Sequence, residues 1–229
     1  MKRFANLFLA GSLLVSSAAF AQVATQANQS YQTHQGRENL AKALSDPTRE
    51  ERQRPRDIVD ALDLMPGASV ADVGTGVGFM LPYLSHAVGD TGHVFGEDIQ
   101  NDFLDQAKVK VRLSELKNVE FILGTDRDPK LPADSLSGVL ALDVYHHFDY
   151  PEAMLGHIHD SLVSDGKFVI VDYFKRKGAM QNSDPDFALR HIRLDEDDVI
   201  KEVEDNGFRL VSKNDLVPKS QYIAVFMKK

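Results

Sequence analysis

The sequence contains no cysteine, and this absence excludes several kinds of chemistry. Without a thiol, the chain can have neither a cysteine nucleophile nor a thiolate metal site. Disulfide bonds are excluded as well. An oxidising compartment allows disulfides but does not require them, so the composition is compatible with export without indicating it.

Basic residues are in the minority. The chain has 26 Lys and Arg against 34 Asp and Glu, which gives a formal net charge of −8 at pH 7. No basic run or arm offsets this balance. Proteins that bind nucleic acid non-specifically need clustered Lys and Arg to contact the phosphates. We therefore expect no nucleic acid among the partners of this protein.

Long hydrophobic runs are scarce, and the clearest short one lies near the N-terminus. Lys2 and Arg3 precede an apolar stretch at residues 7–15, and Ala19-Phe20-Ala21 forms a small-x-small cleavage site. The stretch is too short to span a bilayer as a helix. Together these elements predict a signal peptide at residues 1–21, and so a periplasmic or secreted protein. A buried N-terminal helix is the alternative.

Removal of this segment would take away two basic and no acidic residues, which changes the net charge from −8 to −10. The rest of the chain contains no other stretch that resembles a transmembrane helix. We therefore expect no membrane association after cleavage.

Residues 22–48 differ in composition from the remainder. Residues 22–36 are rich in Gln, Ala, Thr, Asn and Ser, which bury little apolar surface, so a flexible lead-in is expected. A short helix is predicted at residues 37–44, and Asp46-Pro47 ends it because the residue before proline avoids helical backbone. Residues 49–229 are expected to form one domain.

Strand and helix patterns alternate along that domain. The predicted strands lie at residues 69–73, 93–97, 119–123, 136–142, 167–173, 208–214 and 222–227. Helical patterns at residues 80–88, 101–116 and 151–163 connect some of them. This alternation predicts a mostly parallel sheet with helices on both faces. The last two strands should pair antiparallel, because the residues between them are too few for a parallel crossover.

A glycine-rich loop follows the first predicted strand. In the run Asp72-Val73-Gly74-Thr75-Gly76-Val77-Gly78, glycines occupy alternate positions before a helix. Glycine lets the backbone turn sharply and approach a ligand, and a helix start attracts anionic groups. A tight turn without a ligand is the alternative. The dinucleotide pattern G-x-G-x-x-G would need glycine at Phe79, so the loop matches G-x-G-x-G instead.

An acidic residue, Asp98, ends the second predicted strand, twenty residues after Gly78. A carboxylate at this place can accept hydrogen bonds from two ribose hydroxyls. Capping of the following helix is the other role open to Asp98. Its neighbour Glu97 should point the other way, because side chains alternate along a strand.

These segments resemble the motifs of the class I S-adenosylmethionine (SAM)-dependent methyltransferases. The matching segments are residues 70–79, 93–99, 119–126, 136–147 and 162–171. The resemblance covers about residues 50–229. It implies an α/β fold, a Rossmann-like three-layer sandwich with a seven-stranded, mostly parallel sheet whose last strand is antiparallel. It also implies SAM as the cofactor and methyl transfer as the activity.

The same resemblance implies which residues bind the cofactor. They are Asp72, Gly74, Thr75, Gly76, Gly78, Asp98, Ile99, Thr125 and Asp126. The glycine loop would lie near the methionine part of SAM, Asp98 would hold the ribose, and Thr125 or Asp126 would flank the adenine. The family usually has Gly-Asp at the adenine edge, whereas this chain has Gly124-Thr125-Asp126, so the acidic group is displaced by one residue.

Candidates for the chemistry follow the fourth predicted strand, in the run Asp143-Val144-Tyr145-His146-His147. Displacement from a sulfonium depends mainly on alignment, and a base helps only where the acceptor must lose a proton. Histidine suits proton transfer near neutral pH. His146, Tyr145 and Asp143 are therefore the catalytic candidates, and His147 is a second histidine that could act as the base. Packed, hydrogen-bonded loop residues are the alternative.

No metal site is expected, because no third histidine lies near His146 and His147 in the sequence. His157 and His159 are two residues apart on a predicted helix and so point to different faces. The polar connection at residues 174–194 is expected to cover the pocket. Without an added domain, the methyl acceptor is expected to be a small molecule.

Two other functions remain open. One is an exported binding protein that kept the fold without catalysis, although the intact glycine loop and Asp98 argue against decay of the pocket. The other is a nicotinamide-dependent oxidoreductase, against which Phe79 and the antiparallel end of the sheet both argue.

Overall fold

The computed structural model describes residues 23–180 and 184–229, which form one sheet with helices on both faces. The predicted signal peptide, residues 1–21, lies outside the described residues. Within the described ranges, no helix combines the length and the apolar composition that crossing a bilayer requires.

Seven strands form the sheet of the described chain. They are β1 (Ser69–Val73), β2 (His93–Asp98), β3 (Val119–Leu123), β4 (Leu136–Leu142), β5 (Leu162–Tyr173), β6 (Phe208–Val217) and β7 (Gln221–Lys228). Their order across the sheet is β3-β2-β1-β4-β5-β7-β6. Strands β1 to β5 are parallel to one another, whereas β7 pairs antiparallel with both β5 and β6. The predicted seven-stranded, mostly parallel sheet with an antiparallel last strand is confirmed.

Helices connect and cover these strands. The α-helices of the described residues are α1 (His34–Leu44), α2 (Arg49–Gln53), α3 (Pro55–Leu62), α4 (Leu81–Val88), α5 (Asn101–Leu113), α6 (Pro151–Ser161), α7 (Phe187–His191) and α8 (Glu196–Asp205). Two 3₁₀ helices lie at Ala27–Gln32 and Tyr145–His147. Helix α7 lies in the connection for which no regular structure was predicted; residues 181–183 of that connection lie outside the described residues.

The strand order reverses between β1 and β4. From β1 the chain builds outward through β2 and β3, and from β4 it builds the other way through β5. In open α/β sheets, ligands bind at the carboxyl ends of the strands where the order reverses. The glycine loop follows β1 and the run that begins at Asp143 follows β4, so the fold brings these two predicted segments to the same edge.

The core consists of two apolar layers, one on each face of the sheet. In β1, Ala71 and Val73 pack with Ile158 of α6, whereas Val70 packs with Leu84 of α4. All five residues are almost fully buried. This period of two is that of a strand covered on both faces, and it confirms the three-layer arrangement.

The N-terminal segment packs onto the domain, although its composition predicted a flexible lead-in at residues 22–36. Ala24 and Ala27 are buried, and the Arg37 side chain forms a 2.6 Å ion pair with Asp102 at the start of α5. Helix α1 begins earlier than predicted because the Thr33 hydroxyl caps it. Small side chains and polar contacts hold this segment, and the composition of a segment does not reveal such contacts.

Gly78 lies where the glycine loop meets α5. Its φ is +79°, and a Cβ atom there would lie 2.9 Å from Leu81 Cδ1 and 3.1 Å from Ala107 Cβ. Carbon atoms normally pack at about 3.5–4.0 Å, and left-handed backbone is costly for residues other than glycine. The close contact between loop and helix therefore requires glycine at this position.

We expect Gly78→Ala to lower the free energy of unfolding by at least about 1–2 kcal/mol, from the left-handed backbone alone. Gly156→Ala is the matched control, since a Cβ at Gly156 in α6 would meet nothing within 4 Å. Alanine is favoured over glycine in a helix by about 0.8–1 kcal/mol, so this variant should be slightly stabilised. Urea unfolding measures both, and equal stabilities for the two variants would contradict the packing role of Gly78.

Candidate functional site

A cavity of about 350 Å³ lies at the carboxyl ends of β1, β2 and β4, where the strand order reverses. This volume is within the range of small-molecule sites. Nine of the twelve predicted site residues line it: Asp72, Gly74, Thr75, Gly76, Asp98, Ile99, Thr125, Asp126 and Asp143. The other three, Gly78, Tyr145 and His146, are described by the structure but do not line the cavity. Gly78 supports the loop from the α5 side.

The glycine loop is tied to the end of β2 by its backbone N–H groups. The Gly76 N–H donates to Asp98 Oδ2 at 2.9 Å, and the Gly74 N–H donates to Glu97 Oε2 at 3.2 Å. Gly74 also lies against the loop after β4, because a Cβ atom on it would be 2.3 Å from Val144 Cγ2. The loop therefore fits between two strand ends only while position 74 is glycine.

Asp98 is buried, and its carboxylate keeps capacity to accept further hydrogen bonds. Its second oxygen, Oδ1, accepts from the Gln100 N–H at 2.8 Å. A carboxylate has about four acceptor sites, so both oxygens can still accept from a ligand. Burial raises the pKa of Asp98 to about 6, while the N–H donors of Gln100 and Gly76 oppose that rise.

Glu97 also reaches the cavity, although the alternation of side chains predicted that it would point away. Its side chain occupies space that a Cβ at Gly124 would need, since that atom would lie 1.9 Å from Glu97 Oε1. Oε1 is buried and has no hydrogen-bond partner among the described residues. Burial raises the pKa of Glu97 well above its usual range. Gly124 leaves room for the Glu97 side chain, so this glycine was the signal in the sequence from which the position of Glu97 could have been predicted.

Asp72 at the end of β1 is buried and accepts a 2.6 Å hydrogen bond from the Thr75 hydroxyl. Burial raises the pKa of Asp72 to about 7, although the Thr75 hydrogen bond opposes the rise. Since β1 lies beside β2 in the sheet, this carboxylate adds to the acidic character that Glu97 and Asp98 give the cavity.

Asp143, directly after β4, lies on the opposite wall with a backbone φ of +56°. Its Oδ2 forms a 3.3 Å ion pair with Arg49 Nη2, and the Gln221 side-chain amide donates to its Oδ1. Burial raises the pKa of Asp143 to about 6, and the charge of Arg49 opposes this rise. Left-handed backbone in a residue other than glycine is often found at functional sites.

Arg49 is the single Lys or Arg among the described residues that line the cavity. It is buried, and its guanidinium lies 4.4 Å from the centre of the Phe79 ring. The acidic lining residues are Asp72, Glu97, Asp98, Asp126, Asp143 and Asp149. This charge distribution suits a ligand that carries net positive charge and also has one anionic group.

The 3₁₀ helix after β4 directs its three side chains in different directions, because it has three residues per turn. The Tyr145 hydroxyl donates to Glu202 Oε1 in α8 at 2.7 Å, and His146 Nδ1 contacts Asp172 at 2.7 Å. Neither side chain lines the cavity, which agrees with the alternative that they are packed, hydrogen-bonded loop residues, and their catalytic role stays a prediction. His147 lines the cavity instead, and burial lowers its pKa well below the usual value.

The cover of the cavity is the N-terminal 3₁₀ helix, from which Asn28, Tyr31 and Gln32 line the wall. The Tyr31 ring packs edge-on against His147, with ring centres 4.9 Å apart. Residues 174–194 were expected to provide this cover. In their described parts, residues 174–180 and 184–194, they contribute nothing to the lining.

Comparison with known proteins identifies the domain. Residues 71–170 match the methyltransferase domain family. A SAM-dependent methyltransferase from Aquifex aeolicus has a similar structure, with a TM-score of 0.75 and 28% identity, over 83% of this chain and 98% of that one. This chain has a class I SAM-dependent methyltransferase domain. The cofactor of the methyltransferase is accordingly SAM.

Two curated relatives match this chain over shorter stretches. An arsenite methyltransferase from Halobacterium salinarum is 38% identical over 61 residues, which are 27% of this chain and 16% of the relative. A tRNA (adenine(58)-N(1))-methyltransferase from Thermus thermophilus is 37% identical over 94 residues, 39% of this chain and 36% of the relative. The match thus spans well under half the length of either relative.

The residues of the cavity fit SAM, which carries a sulfonium, an ammonium and a carboxylate group. The acidic lining matches the two positive charges, and Arg49 matches the negative one. Glu97 Oε1 is buried and has no hydrogen-bond partner among the described residues, so it can accept a hydrogen bond from a hydroxyl group of the ligand. Gly74 and Gly76 line the cavity, so a ligand would contact the loop backbone there.

We expect the affinity for S-adenosylhomocysteine to fall as the pH falls. The predicted ribose contact requires an ionised Asp98 carboxylate, and the pKa of this group in the free protein is about 6. At pH 5 roughly nine-tenths of this group is protonated, so affinity should be about tenfold lower than at pH 8. Protonation of Asp72 and Asp143 would add to this loss. Isothermal titration calorimetry across this pH range measures it.

The control for this pH dependence is Asp98→Asn, which keeps the shape of the side chain but cannot titrate. The variant should bind more weakly at pH 8, and its affinity should change less with pH than that of the wild type. A pH dependence equally steep in both proteins would contradict the role of Asp98.

Proposed function

We propose that this protein is a SAM-dependent methyltransferase that methylates a small-molecule acceptor. The observation that carries the proposal is one cavity shared by three strand ends. Asp72 and the glycine loop follow β1, Asp98 ends β2, and Asp143 follows β4. This is the place where open α/β sheets bind nucleotide-like ligands.

In this proposal, the end of β2 binds the ribose. The Asp98 carboxylate holds two backbone N–H groups and has further acceptor sites, so it accepts from the ribose hydroxyls. Glu97 Oε1 is a second acceptor in the same wall, since it is buried without a partner among the described residues. Ile99, Thr125 and Asp126 line the adjoining wall and would flank the adenine.

The methionine end of the cofactor would lie between β1 and β4. The Arg49 guanidinium is the cation available for its carboxylate, and Asp72 and Asp143 are the acceptors available for its ammonium group. The absence of a Cβ atom at Gly74 and Gly76 lets the loop pack against Val144 and Leu44, so that its backbone lines this end of the cavity.

When bound, SAM supplies a methyl group on a sulfonium, and transfer is a direct displacement by the acceptor. The protein contributes alignment, which can supply a large part of the rate. The N-terminal 3₁₀ helix covers the cavity, and Arg49 at the start of α2 lines it. The His147 ring also lines the cavity and is held neutral by burial, so its nitrogen lone pair stays available to an acceptor or to another partner.

A small-molecule acceptor is supported by the size, the cover and the charge of the cavity. The cavity has a volume of about 350 Å³, and Asn28, Tyr31 and Gln32 of the N-terminal 3₁₀ helix cover it. In the part of the chain that the structure describes, six acidic residues and a single arginine line it, in contrast to the clustered Lys and Arg that bind phosphates. The two curated relatives described above are named for arsenite and for tRNA, so the relatives do not share an acceptor.

The direct test of the proposed function is calorimetry with S-adenosylhomocysteine, SAM and NAD. We expect both adenosyl ligands to bind and NAD not to bind. Asp98→Ala should weaken both about ten- to hundredfold, since hydrogen bonds to a charged group contribute about 1.5–3 kcal/mol. Asp105→Ala is the matched control, because Asp105 is exposed on α5 and does not line the cavity.

Transfer of label from methyl-labelled SAM to small molecules of a cell extract tests the activity itself. We expect transfer by the wild type and its loss in Asp98→Ala. Binding of NAD without S-adenosylhomocysteine would favour an oxidoreductase. Binding of S-adenosylhomocysteine without any methyl transfer would favour a binding protein that kept the fold.

We also propose that the protein acts outside the cytoplasm, on the basis of Lys2, Arg3, the apolar stretch at 7–15 and the site at Ala19-Phe20-Ala21. The protein recovered from the periplasm should have the mass of a chain that begins at Gln22. Intact-protein mass spectrometry measures this mass, and a full-length chain found only in the cytoplasm would contradict export.

A further inference from the structure

Three histidines that are apart in the sequence meet beside the cavity. His146, His147 and His191 each present one ring nitrogen, and these nitrogens lie within 4.8 Å of one another. The ring centres of His146 and His147 are 4.0 Å apart, and His191 lies 5.1 Å from the first and 5.3 Å from the second. Sequence analysis predicted no metal because no third histidine lay nearby, but α7 brings His191 to this place.

His146 is held in an orientation that suits a metal ligand. Its Nδ1 lies 2.7 Å from Asp172 Oδ1, and its backbone N–H donates to Asp172 Oδ2 at 3.0 Å. The carboxylate therefore fixes the proton on Nδ1. Nε2 is buried and has no hydrogen-bond partner among the described residues. A carboxylate behind one ring nitrogen, with the other nitrogen free, is the usual arrangement of a metal-bound histidine.

His147 has the same arrangement with an amide in place of the carboxylate. Its Nδ1 lies 2.9 Å from Asn28 Oδ1, so the proton belongs on Nδ1. Its Nε2 has a weak contact, 3.5 Å, with the Tyr31 hydroxyl. The third ring, His191, stacks on Phe187 with ring centres 4.8 Å apart. Two of the three imidazoles thus have an outer partner that orients them.

We propose that His146, His147 and His191 bind a divalent metal ion of the zinc type. Three protein ligands are the number found in catalytic zinc sites, where the fourth position is left for water or substrate. Imidazole donors suit zinc and its neighbours in the periodic table. The oxygen ligands that calcium and magnesium prefer are absent from this set of three.

Binding requires a small closure of the cluster. Zn–N bonds of about 2.0–2.1 Å place the ligand nitrogens roughly 3.3 Å apart. The nitrogens here are separated by up to 4.8 Å. His146 is buried and fixed by Asp172, whereas His147 and His191 are half-buried. The two half-buried rings therefore move toward His146, by on the order of 1 Å.

The ion would lie at the wall of the cavity, because His147 lines the cavity while His146 and His191 lie behind it. There its fourth position would bind an oxygen, nitrogen or sulfur atom of the acceptor and hold that atom near the methyl group. This role rests on the proposed methyl transfer, whereas binding of the ion does not.

Cobalt titration tests the metal site. The full chain, without an affinity tag and treated with a chelator, is titrated with Co²⁺ and then with Zn²⁺ in the absence of cofactor. We expect one Co²⁺ per chain, visible ligand-field bands of four-coordinate cobalt, and loss of these bands when Zn²⁺ replaces it. No stoichiometric binding of either ion to the wild type would overturn the proposal.

Variants assign the ligands. His191→Ala should weaken Co²⁺ binding at least about tenfold, and Asn28→Ala should weaken it about ten- to hundredfold by removing the outer partner of His147. His157→Ala is the control, since this histidine is half-exposed on α6 and pairs with Asp128. Equal affinity in His191→Ala and His157→Ala would also overturn the proposal.

The binding of S-adenosylhomocysteine, measured in parallel, separates this proposal from the proposed function. A protein that binds S-adenosylhomocysteine but no metal ion retains the cofactor site and loses only the metal site. A protein that binds the ion but no adenosyl ligand retains the metal site and contradicts the proposed function.

Discussion

The hydrogen bond from the Gly76 N–H to Asp98 Oδ2, 2.9 Å long, joins the loop after β1 to the end of β2. The loop reaches this position because Gly74 has no Cβ atom where Val144, after β4, lies against it. In the same way, the absence of a Cβ atom at Gly78 lets the loop lie against α5. Gly74, Gly76 and the Asp98 carboxylate thus bring three strand ends together, and the cavity is the space that they enclose.

The carboxyl groups that are buried together in this cavity destabilise the ligand-free protein at neutral pH. The folded-state pKa values of Asp72, Asp98 and Asp143, about 7, 6 and 6, lie above the ordinary value of 3.8 because of burial. The folded protein therefore binds protons more tightly than the unfolded chain. The contribution of these three groups to the free energy of unfolding is greatest below about pH 4 and falls as the pH rises toward 7. A cationic ligand in the cavity compensates for this charge.

Sequence patterns predicted the sheet and its antiparallel end, and nine of the twelve predicted site residues line the cavity, because alternating strands, a glycine loop and Asp98 are local signals. Tyr145 and His146 do not line the cavity, since the direction of each side chain depends on the 3₁₀ turn, and their catalytic role stays a prediction. Arg49, Asn28 and His191 come from distant segments, and their positions depend on packing that no local pattern records.

A crystal structure of the protein with S-adenosylhomocysteine tests the central claim most directly. The account predicts the ligand inside the cavity, with both ribose hydroxyls within about 3 Å of the Asp98 or Glu97 carboxylates and its carboxylate group beside Arg49. Density for the ligand outside the cavity, or a ribose that contacts neither acidic residue at the end of β2, would contradict it.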